Sequence, residues 1–524
     1  MIILALGIFF RVVNIEQKIF WHDEVYTKLY MAGYTRQDWI TSLFNGQIIG
    51  VKDVEKYLQF NPQRTLGDLL YTLAVQEPDY TPLYHIILRF WVQFLGDSIT
   101  VIRSLSVVSS LLIFPALYWL SWELFNSSLI AVTSLAIMAI SPFFILYAQE
   151  SRDFILWTAI IILANGSLLR AIRLEHDLNC SSRNKNYAWG IYIILMILSF
   201  YTSLFTVSVM LAQSIYIILL ERFRLTKVVI FYCLASIINL IAFLPWFIVF
   251  IVNYQAFNNS MSWISTIKIS NLELLKNLSL NISRVFFDFG LPLEHTLTYI
   301  ISLISLVLVS YSVYWVCYDT APRIKYFILS MIIIPISLLL LPDLIIGGIR
   351  SLSARYLIAA FLGYILAVSY LVATKVILPI FSNELTNKIW TILAGILMSI
   401  SIVSCVMNAQ AKVVWFQVIS YNLPEVARII NQSSSPLLIS NNTGYNPGNI
   451  FALSYLLKPE VKIQVLPEEK EYTIPRGFSD IFLLNPSDDL KARLVNTQNV
   501  KIKQVFSDLY LWLWKVKSRE LAEE

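Results

Sequence analysis

Apolar runs dominate the first four fifths of the chain. They recur as separate stretches of about 17 to 25 residues, each long enough to cross a hydrocarbon core of about 30 Å as a helix. A transmembrane β-barrel would instead show alternating segments of about ten residues, and unbroken runs such as 300–309 do not alternate. The pattern therefore predicts an all-α polytopic membrane protein.

Taken in order, the apolar runs predict about eleven crossings. We place them at 2–13, 101–120, 129–147, 154–170, 187–201, 204–220, 228–253, 296–318, 326–341, 356–375 and 389–407. No small-residue cleavage site follows the first run, so we expect it to be retained as a helix, although it is short.

The loops between alternate predicted helices are basic, which predicts their side of the membrane. By the positive-inside rule these loops are cytoplasmic, giving an N-in, C-out topology in a plasma (inner) membrane. The segment 82–95 is apolar but contains His85 and Arg89. We interpret it as an interfacial helix, because a span there would place the basic loops outside. The loop residues are Arg170, Arg173, Arg183, Lys185, Arg222, Arg224, Lys227, Arg323, Lys325, Lys375 and Lys388.

The composition changes after residue 408. Strand-like runs at 436–440, 461–465 and 480–484 alternate with helix-like pieces, and Gly and Pro recur at turn spacing. We predict a transmembrane domain over 1–408, including an outer loop at 21–100, and a small extracytoplasmic α/β domain over 409–524.

The overall composition excludes several classes of protein. Hydrophobic residues make up 57% of the chain and charged residues 14%, with a mean hydropathy of +0.66, whereas soluble proteins carry roughly 25% charged residues. The four cysteines form no CxxC pair and there are four histidines, so neither a disulfide framework nor a zinc cluster is indicated. The net charge of +5 is dispersed, which argues against nucleic-acid binding.

Two acidic clusters fall on the predicted outer side. Asp23 and Glu24 directly follow the first helix, and Glu150 stands beside Arg152 and Asp153 between two later helices. One carboxylate of such a pair can act as a base or bind a cation while the other positions a ligand. The structural alternatives are a solvated loop end for the first cluster and a salt-bridged helix cap for the second.

Cationic residues form a second group of candidates. Arg350 and Arg355, with Tyr356 beside the latter, lie in an otherwise charge-poor outer loop where arginine can fork onto phosphate oxygens. Snorkelling at the membrane interface is the structural alternative. His85, one turn into the interfacial helix, is suited to binding phosphate or to capping. Arg11 lies within the first helix, and we expect it to pair with an acid inside the bundle.

These candidates suit a reaction on the outer side that uses a lipid-phosphate donor. No GxGxxG or P-loop motif occurs, which argues against ATP or dinucleotide use by the C-terminal domain. A lipid or sugar transporter or flippase, a lipid-linked polysaccharide polymerase or ligase, and a membrane scaffold remain alternatives. Transporters usually place ionisable groups at the bilayer midplane, whereas most charges here lie at helix ends.

The order and spacing of these residues resemble the GT-C superfamily of membrane glycosyltransferases. Within it the chain is most similar to the protein O-mannosyltransferase and aminoarabinose-transferase branch, especially bacterial dolichyl-phosphate-mannose mannosyltransferase-like members. The family usually has two adjacent prolines before the interfacial helix, and Thr81 replaces the first of them. The motifs are Arg11, Trp21-His22-Asp23-Glu24, Asp79 to His85, Gly96, Arg103, Ser141-Pro142, Tyr147 to Arg152 and Arg355-Tyr356.

The resemblance implies inverting transfer from a polyprenyl-phosphate sugar to a lipid, glycan or protein acceptor. Asp23 would be the general base with Glu24 beside it, and Glu150 would be the acid of the second loop. His85, Arg152, Arg350, Arg355 and Tyr356 would bind the lipid phosphate or the sugar. Some members use a divalent cation, and Asp23 and Glu150 would be the ligands of an Mg²⁺ or Mn²⁺ ion here. The sequence leaves the metal undecided.

Overall fold

A computed structural model describes residues 1–292, 294–377, 385–467, 474–498 and 500–518. Within the first 150 residues the helices are α1 Ile2–Val12, α2 His22–Ala32, α3 Arg36–Leu43, α4 Val51–Glu55, α5 Leu66–Gln76, α6 Leu83–Leu95, α7 Ile99–Phe125, α8 Ser128–Ala139 and α9 Pro142–Ala148. They are followed by α10 Phe154–His176, α11 Ser182–Thr202, α12 Thr206–Leu220, α13 Lys227–Val252, α14 Tyr254–Thr266, α15 Asn271–Phe286, α16 Thr296–Asp319, α17 Pro322–Ile346, α18 Ile358–Val372 and α19 Leu385–Gln410. The last helices are α20 Leu423–Ile430, α21 Asn446–Ser454 and α22 Asp488–Gln498.

The chain divides into two compact units. The first, called here the helical unit, comprises Met1–Ile15, Glu77–Tyr84 and Arg103–Gln410. The second, called here the α/β unit, comprises Glu16–Gln76, His85–Ile102 and Ala411–Glu524.

The predicted membrane helices are confirmed as helices. Among the described residues, seven segments are long and apolar enough to cross a membrane: Ile99–Phe125, Phe154–His176, Lys227–Val252, Thr296–Asp319, Pro322–Ile346, Ala354–Ile377 and Lys388–Gln410. The pair α8 and α9 passes the same test together but is bent by 63° at its break. Helices α1 and α12 are apolar but shorter, with 11 and 15 residues. The direction of the chain across the membrane stays a prediction.

The break between α8 and α9 is stabilised by Arg11. Pro142 has no N–H, so the carbonyl of Met138, four residues earlier, loses its α-helical donor and keeps a long backbone hydrogen bond of 3.4 Å from the Ser141 N–H. The Arg11 guanidinium replaces the lost donor, donating to Met138 O at 3.1 Å, to Ala139 O at 2.9 Å and to Gly7 O at 2.8 Å. The expectation that Arg11 pairs with an acid is therefore wrong within the described structure, because backbone carbonyls at the break and in α1 accept its hydrogen bonds.

A second side chain, after the end of α9, donates to carbonyls at the end of α1. The Gln149 side-chain amide donates to Phe10 O at 3.0 Å and to Val13 O at 2.8 Å. These carbonyls belong to the last turn of α1 and would otherwise lack donors. Arg11 and Gln149 thus fix the two ends of the bent segment against the first helix.

A six-stranded mixed sheet forms the centre of the α/β unit. The order is β1-β3-β2-β4-β6-β5, in which β2 runs parallel to both β3 and β4 and the remaining pairs are antiparallel. The strands are β1 Ile48–Gly50, β2 Pro436–Asn441, β3 Lys462–Leu466, β4 Asp480–Leu484, β5 Val500–Ser507 and β6 Trp512–Ser518. The three strands predicted from sequence correspond to β2, β3 and β4, and they are confirmed to within one residue.

The sequence-based domain boundary differs from this arrangement. We placed the loop 21–100 with the membrane helices, whereas most of it clusters with the C-terminal residues. One reason is β1, which pairs with β3 so that Ile48 lies opposite Gln464. A second reason is a shared apolar core, in which the ring centroid of Trp39 lies 5.6 Å from that of Phe451. Both contacts join positions some 400 residues apart, which local patterns do not reveal.

Helix α6 corresponds to the predicted interfacial helix. It has 13 residues, too few to span a bilayer. Phe90, Phe94 and Leu95 are exposed on it, whereas Arg89 is buried and donates to the carbonyls of Met31 and Arg64. Its location at a membrane surface stays a prediction.

We expect Gly7→Ala to destabilise the fold. A Cβ at position 7 would lie 2.5 Å from Ala139 O and 2.7 Å from Ala139 Cβ, and such overpacking costs typically 1–3 kcal/mol, about 2 kcal/mol here. Thermal unfolding of the purified protein in detergent measures the change. Gly395→Ala is the matched control, because a Cβ there meets nothing within 4 Å. Equal melting temperatures for the two variants would contradict the close packing of α1 on the break.

Candidate active site

The first acidic pair begins helix α2 in the α/β unit. Trp21 is the N-cap residue, and Asp23 and Glu24 lie in the first turn. Glu24 is buried and Asp23 is half-buried. Acidic residues are common at this position of a helix, which is a structural reason for them beside a catalytic one. Asp23 is the more accessible of the two carboxylates to a ligand from solvent.

His85 also lies in the α/β unit. It is the third residue of α6 and is buried at 4% exposure. Its ring centroid lies 6.4 Å from that of Tyr30 in the last turn of α2. His85 therefore packs against the helix that carries the acidic pair, at the end opposite to Asp23.

In the helical unit, two of the predicted arginines share one aromatic ring. The guanidinium carbons of Arg152 and Arg355 lie 5.7 Å and 5.2 Å from the ring centroid of Phe154. Arg152 also lies 4.8 Å from the Tyr80 ring centroid and donates to the Tyr80 hydroxyl at 3.0 Å. Arg355 lies 5.6 Å from the ring centroid of Tyr356. We call Tyr80, Arg152, Phe154, Arg355 and Tyr356 the arginine cluster.

The elements that carry the arginine cluster explain how it forms. Arg152 and Phe154 occupy the turn between α9 and the start of α10, and Arg355 and Tyr356 lie in the 3-10 turn Ala354–Leu357 before α18. Tyr356 is held by a stacked contact with Phe205, at 4.3 Å between ring centroids. Two separate parts of the sequence thus meet at the Phe154 ring, and Tyr80 joins them through its contact with Arg152.

Glu150 lies on the same turn as Arg152. It is buried at 2% exposure, and its carbonyl accepts the Arg152 backbone N–H at 2.9 Å. The next residue, Ser151, lies with its hydroxyl 3.3 Å from the hydroxyl of Tyr84. Glu150 is therefore placed in a fully packed turn rather than in a solvated loop.

Asp79 is an acid that the sequence-based list of site residues omitted. Its Oδ1 atom is buried and lacks a hydrogen-bond partner among the described residues. Burial raises the pKa of Asp79 to about 6, against the opposing effect of Arg152 and with a further rise from Asp153. The indole of Trp246 on α13 donates to the preceding carbonyl, Pro78 O, at 3.0 Å. The sequence signal for Asp79 was its position next to Pro78, at the entry to the interfacial helix.

Arg284 on α15 was also missed. It donates to Asn281 Oδ1 at 2.9 Å, and the Asn281 amide in turn donates to Leu352 O at 2.8 Å. Burial lowers the pKa of Arg284 to about 10, although Asp288 and Tyr147 favour its charged form. Tyr147 packs 6.1 Å from the Phe154 ring. No local pattern separates this arginine from an ordinary charge on an amphipathic helix.

Arg350 is placed differently from Arg355. Its guanidinium forms an ion pair with buried Asp343 at 2.9 Å and donates to Gly347 O at 2.9 Å. The other carboxylate oxygen of Asp343 accepts the Ser351 N–H at 2.7 Å. These contacts give Arg350 a structural role in the turn after α17.

The predicted site residues therefore fall into two groups. Asp23, Glu24 and His85 belong to the α/β unit, whereas Glu150, Arg152, Arg350, Arg355 and Tyr356 belong to the helical unit. Within the part of the chain that the structure describes, no three His, Cys, Asp or Glu side chains are grouped so as to hold a metal ion.

An apolar cavity lies in the helical unit beside the break between α8 and α9. Its walls come from α8, α15, α16, α18 and α19 and include Ile140, Phe286, Leu308, Val368 and Leu397. Such a lining is compatible with a hydrocarbon chain and excludes charged groups.

No family model and no curated protein matches the sequence. Solved structures do match the fold. ArnT from Cupriavidus metallidurans bound to undecaprenyl phosphate is 11% identical, with a TM-score of 0.52 over 98% of this chain and 97% of that chain. Its apo state gives a TM-score of 0.54 at 10% identity, with the same coverage.

A third match comes from an archaeal protein. The Archaeoglobus fulgidus oligosaccharyltransferase tethered to an acceptor peptide with the NVT sequon is 11% identical, with a TM-score of 0.50 over 87% of this chain and 63% of that chain. At such low identities the likeness concerns the fold alone. The chain therefore has the GT-C fold, mostly helical with a small C-terminal sheet.

Proposed function

We propose that this protein is a membrane glycosyltransferase that takes its sugar from a polyprenyl-phosphate donor. The observation that carries the proposal is the meeting of Arg152 and Arg355 on the Phe154 ring. Two guanidinium groups fixed beside apolar helices provide the charge and the forked donors that a phosphate group requires. The undecaprenyl phosphate in the ArnT structure of the same fold is consistent with such a donor.

The apolar lining of the cavity is compatible in character with the second part of such a donor. An isoprenoid chain has no polar groups, and the lining of Ile140, Phe286 and Leu397 offers it dispersion contacts without unsatisfied donors. A polyprenyl-phosphate sugar combines this apolar chain with an anion, as the helical unit combines the cavity with the arginine cluster. A nucleotide sugar lacks the apolar part.

We assign the role of general base to Asp23. Its carboxylate removes the proton of an acceptor hydroxyl, whose oxygen forms a bond to the anomeric carbon of the sugar. The bond from that carbon to the phosphate oxygen breaks, and the electron pair leaves with the lipid phosphate. This single displacement inverts the anomeric configuration. Glu24 and Glu150 are proposed to support the acceptor, and the reaction takes place on the extracytoplasmic side of the plasma membrane.

The arginines stabilise the leaving group in this proposal. Arg152 and Arg355 compensate the charge that develops on the departing phosphate, with Tyr356 and His85 as further contacts to the donor. The ion pair with Asp343 favours a structural role for Arg350, although binding of phosphate by its remaining donors stays a prediction. The metal stays undecided: if Mg²⁺ or Mn²⁺ binds, it would supply positive charge, and Asp23 and Glu150 are the ligands that the resemblance implies.

Asp23→Asn should lower kcat by at least about 100-fold, because the amide cannot accept the proton. Release of polyprenyl phosphate from a panel of polyprenyl-phosphate sugars, by protein in lipid vesicles with and without EDTA, measures this. Asp53→Asn is the matched control, since Asp53 lies in the first turn of α4 in the same unit. Full activity of Asp23→Asn would refute the base assignment, and no release by the wild type would refute the donor class.

Arg355→Ala should raise the KM for the donor about tenfold or more, with the KM for the acceptor within twofold, because one charged partner of the phosphate is lost. Arg350→Ala should mainly lower the melting temperature, because it leaves the buried Asp343 carboxylate without its cation. Steady-state kinetics and thermal unfolding of both variants measure the difference. The same rise in donor KM for both variants would contradict separate roles.

The KM for the donor should depend on pH through Asp79. Its pKa is raised to about 6, so above that pH a carboxylate faces Arg152, together with Asp153 and the Ser260 hydroxyl, and below it a neutral acid does. A phosphodiester donor keeps its charge over this range. We therefore expect the KM for the donor to fall as the pH is lowered through 6, because Arg152 loses a competing anion.

Asp79→Asn should remove this pH dependence and keep the low KM at neutral pH. Kinetics between pH 5 and pH 8 (about one unit below and two above the pKa) measure it. Lower pH also favours folding. Because the pKa of Asp79 is raised in the folded state, that state becomes more stable relative to the unfolded state as the pH falls through this range. A parallel pH dependence in both proteins would show that another group titrates.

A further inference from the structure

The helix that carries Asp23 is in close contact with Gly448 on α21. A Cβ at position 448 would lie 2.2 Å from His22 Nδ1, 2.5 Å from Cε1 and 2.9 Å from Cγ. These distances are far below van der Waals contact, so the imidazole lies on the backbone of Gly448 where only glycine leaves room. The φ angle of Gly448 is not positive, and the backbone there would accept alanine without strain.

Hydrogen bonds hold the same turn. The backbone N–H of His22 donates to Ser420 Oγ at 3.3 Å, and Ser420 Oγ donates to Asn449 Oδ1 at 2.9 Å. The Asn449 amide donates in turn to Ile419 O at 3.1 Å. Asn449 follows Gly448 directly, so the first turn of α2 and the first turn of α21 are fixed against each other at two adjacent positions.

Aromatic contacts extend this interface on both sides of His22. Its ring centroid lies 5.8 Å from that of Tyr445, one turn before Gly448. Trp21 lies 5.7 Å from Phe416, and Phe20 lies 5.2 Å from Tyr455, both between ring centroids. The three residues that precede Asp23 thus each contact the C-terminal part of the α/β unit.

Lys28 makes a further contact one and a half turns along α2. Its ammonium group donates to Tyr455 OH at 3.1 Å and to Asp97 O at 2.7 Å. Burial lowers the pKa of Lys28 to about 8, against the opposing effects of Asp97 and Glu55. Burying an ammonium group for these contacts costs free energy, which the close fit of α2 must offset.

Gly448 and Tyr445 lie just beyond the carboxyl end of β2. This strand has parallel neighbours on both sides, β3 and β4, and the carboxyl edge of such a sheet is where doubly wound domains usually bind ligands. Here the contact partner at that edge is a residue of the same chain, His22. At this edge His22 thus takes the place that a ligand usually takes in doubly wound domains.

We infer that the C-terminal α/β residues act as a positioning platform for the general base. Gly448 and His22 are positioning residues: they fix the first turn of α2 and with it the carboxylate of Asp23, the next residue. The inference rests on the proposed role of Asp23. A displacement of a reacting group by about 1 Å can cost about 100-fold in rate, so a small shift of this turn is sufficient to impair catalysis.

A double-mutant cycle at positions 22 and 448 tests the inference. Gly448→Ala should push the imidazole away and lower kcat about 10- to 100-fold, with the KM for the donor within twofold, because Arg152 and Arg355, the proposed charged contacts of the phosphate, are in the other unit. In a His22→Ala background the added Cβ meets no ring, so Gly448→Ala should then change kcat by less than about twofold. An equal loss in both backgrounds, or no loss in either, overturns the inference.

A second measurement keeps the result independent of catalysis. Hydrogen–deuterium exchange in peptides covering 20–32 should be faster in Gly448→Ala than in the wild type, and the His22→Ala background should remove that difference. Gly190→Ala on α11 is the matched control, because a Cβ there meets nothing within 4 Å. If exchange in peptides covering 20–32 is unchanged in Gly448→Ala, the inference that Gly448 positions α2 is overturned. If the exchange rates change as expected but the wild type releases no lipid phosphate, the proposed function is refuted. The contact between His22 and Gly448 is then still supported.

Discussion

The absence of water in a bilayer core is the constraint on which the helical unit depends, because backbone groups there need partners within the protein. Pro142 interrupts the helical hydrogen bonding between α8 and α9 and removes the α-helical donor of Met138 O. Arg11, from another helix, donates to Met138 O and Ala139 O. The close approach of Gly7 to Ala139 brings the guanidinium within reach. The bend of 63° is therefore a stable feature of the bundle.

The bend has a consequence for the candidate active site. It sets the direction of α9, and the turn after α9 carries Glu150, Arg152 and Phe154. Gln149, the last residue before this turn, is bound to the end of α1. The arginine cluster therefore starts from a turn that is fixed at its base, and Arg152 and Arg355 are held on the Phe154 ring by contacts within the protein. Such preorganisation reduces the entropy that binding of a phosphate must overcome.

The α/β unit solves a different problem, which is to hold a short helix at a defined angle. Helix α2 has 11 residues, and isolated helices of that length are marginal in water. Its contacts with α21 and Tyr455 replace the missing intrinsic stability. The same contacts place Asp23 at the accessible end and Lys28 in the buried part. In this way residues of the C-terminal part support the helix that carries Asp23.

The sequence by itself determined the elements whose signal is local. Apolar runs of sufficient length predicted the helices, and strand-like runs between turn residues predicted β2, β3 and β4. The family resemblance of the motifs implied the fold type and selected Arg152 and Arg355, which the structure brings together. Only the tertiary structure decided the contacts. Arg11 donates to carbonyls, Arg350 pairs with Asp343, and β1 pairs with β3, while Asp79 is buried. These pairings join residues up to about 400 positions apart. Each depends on how helices and strands pack in space, which no local pattern of hydrophobic and polar residues records.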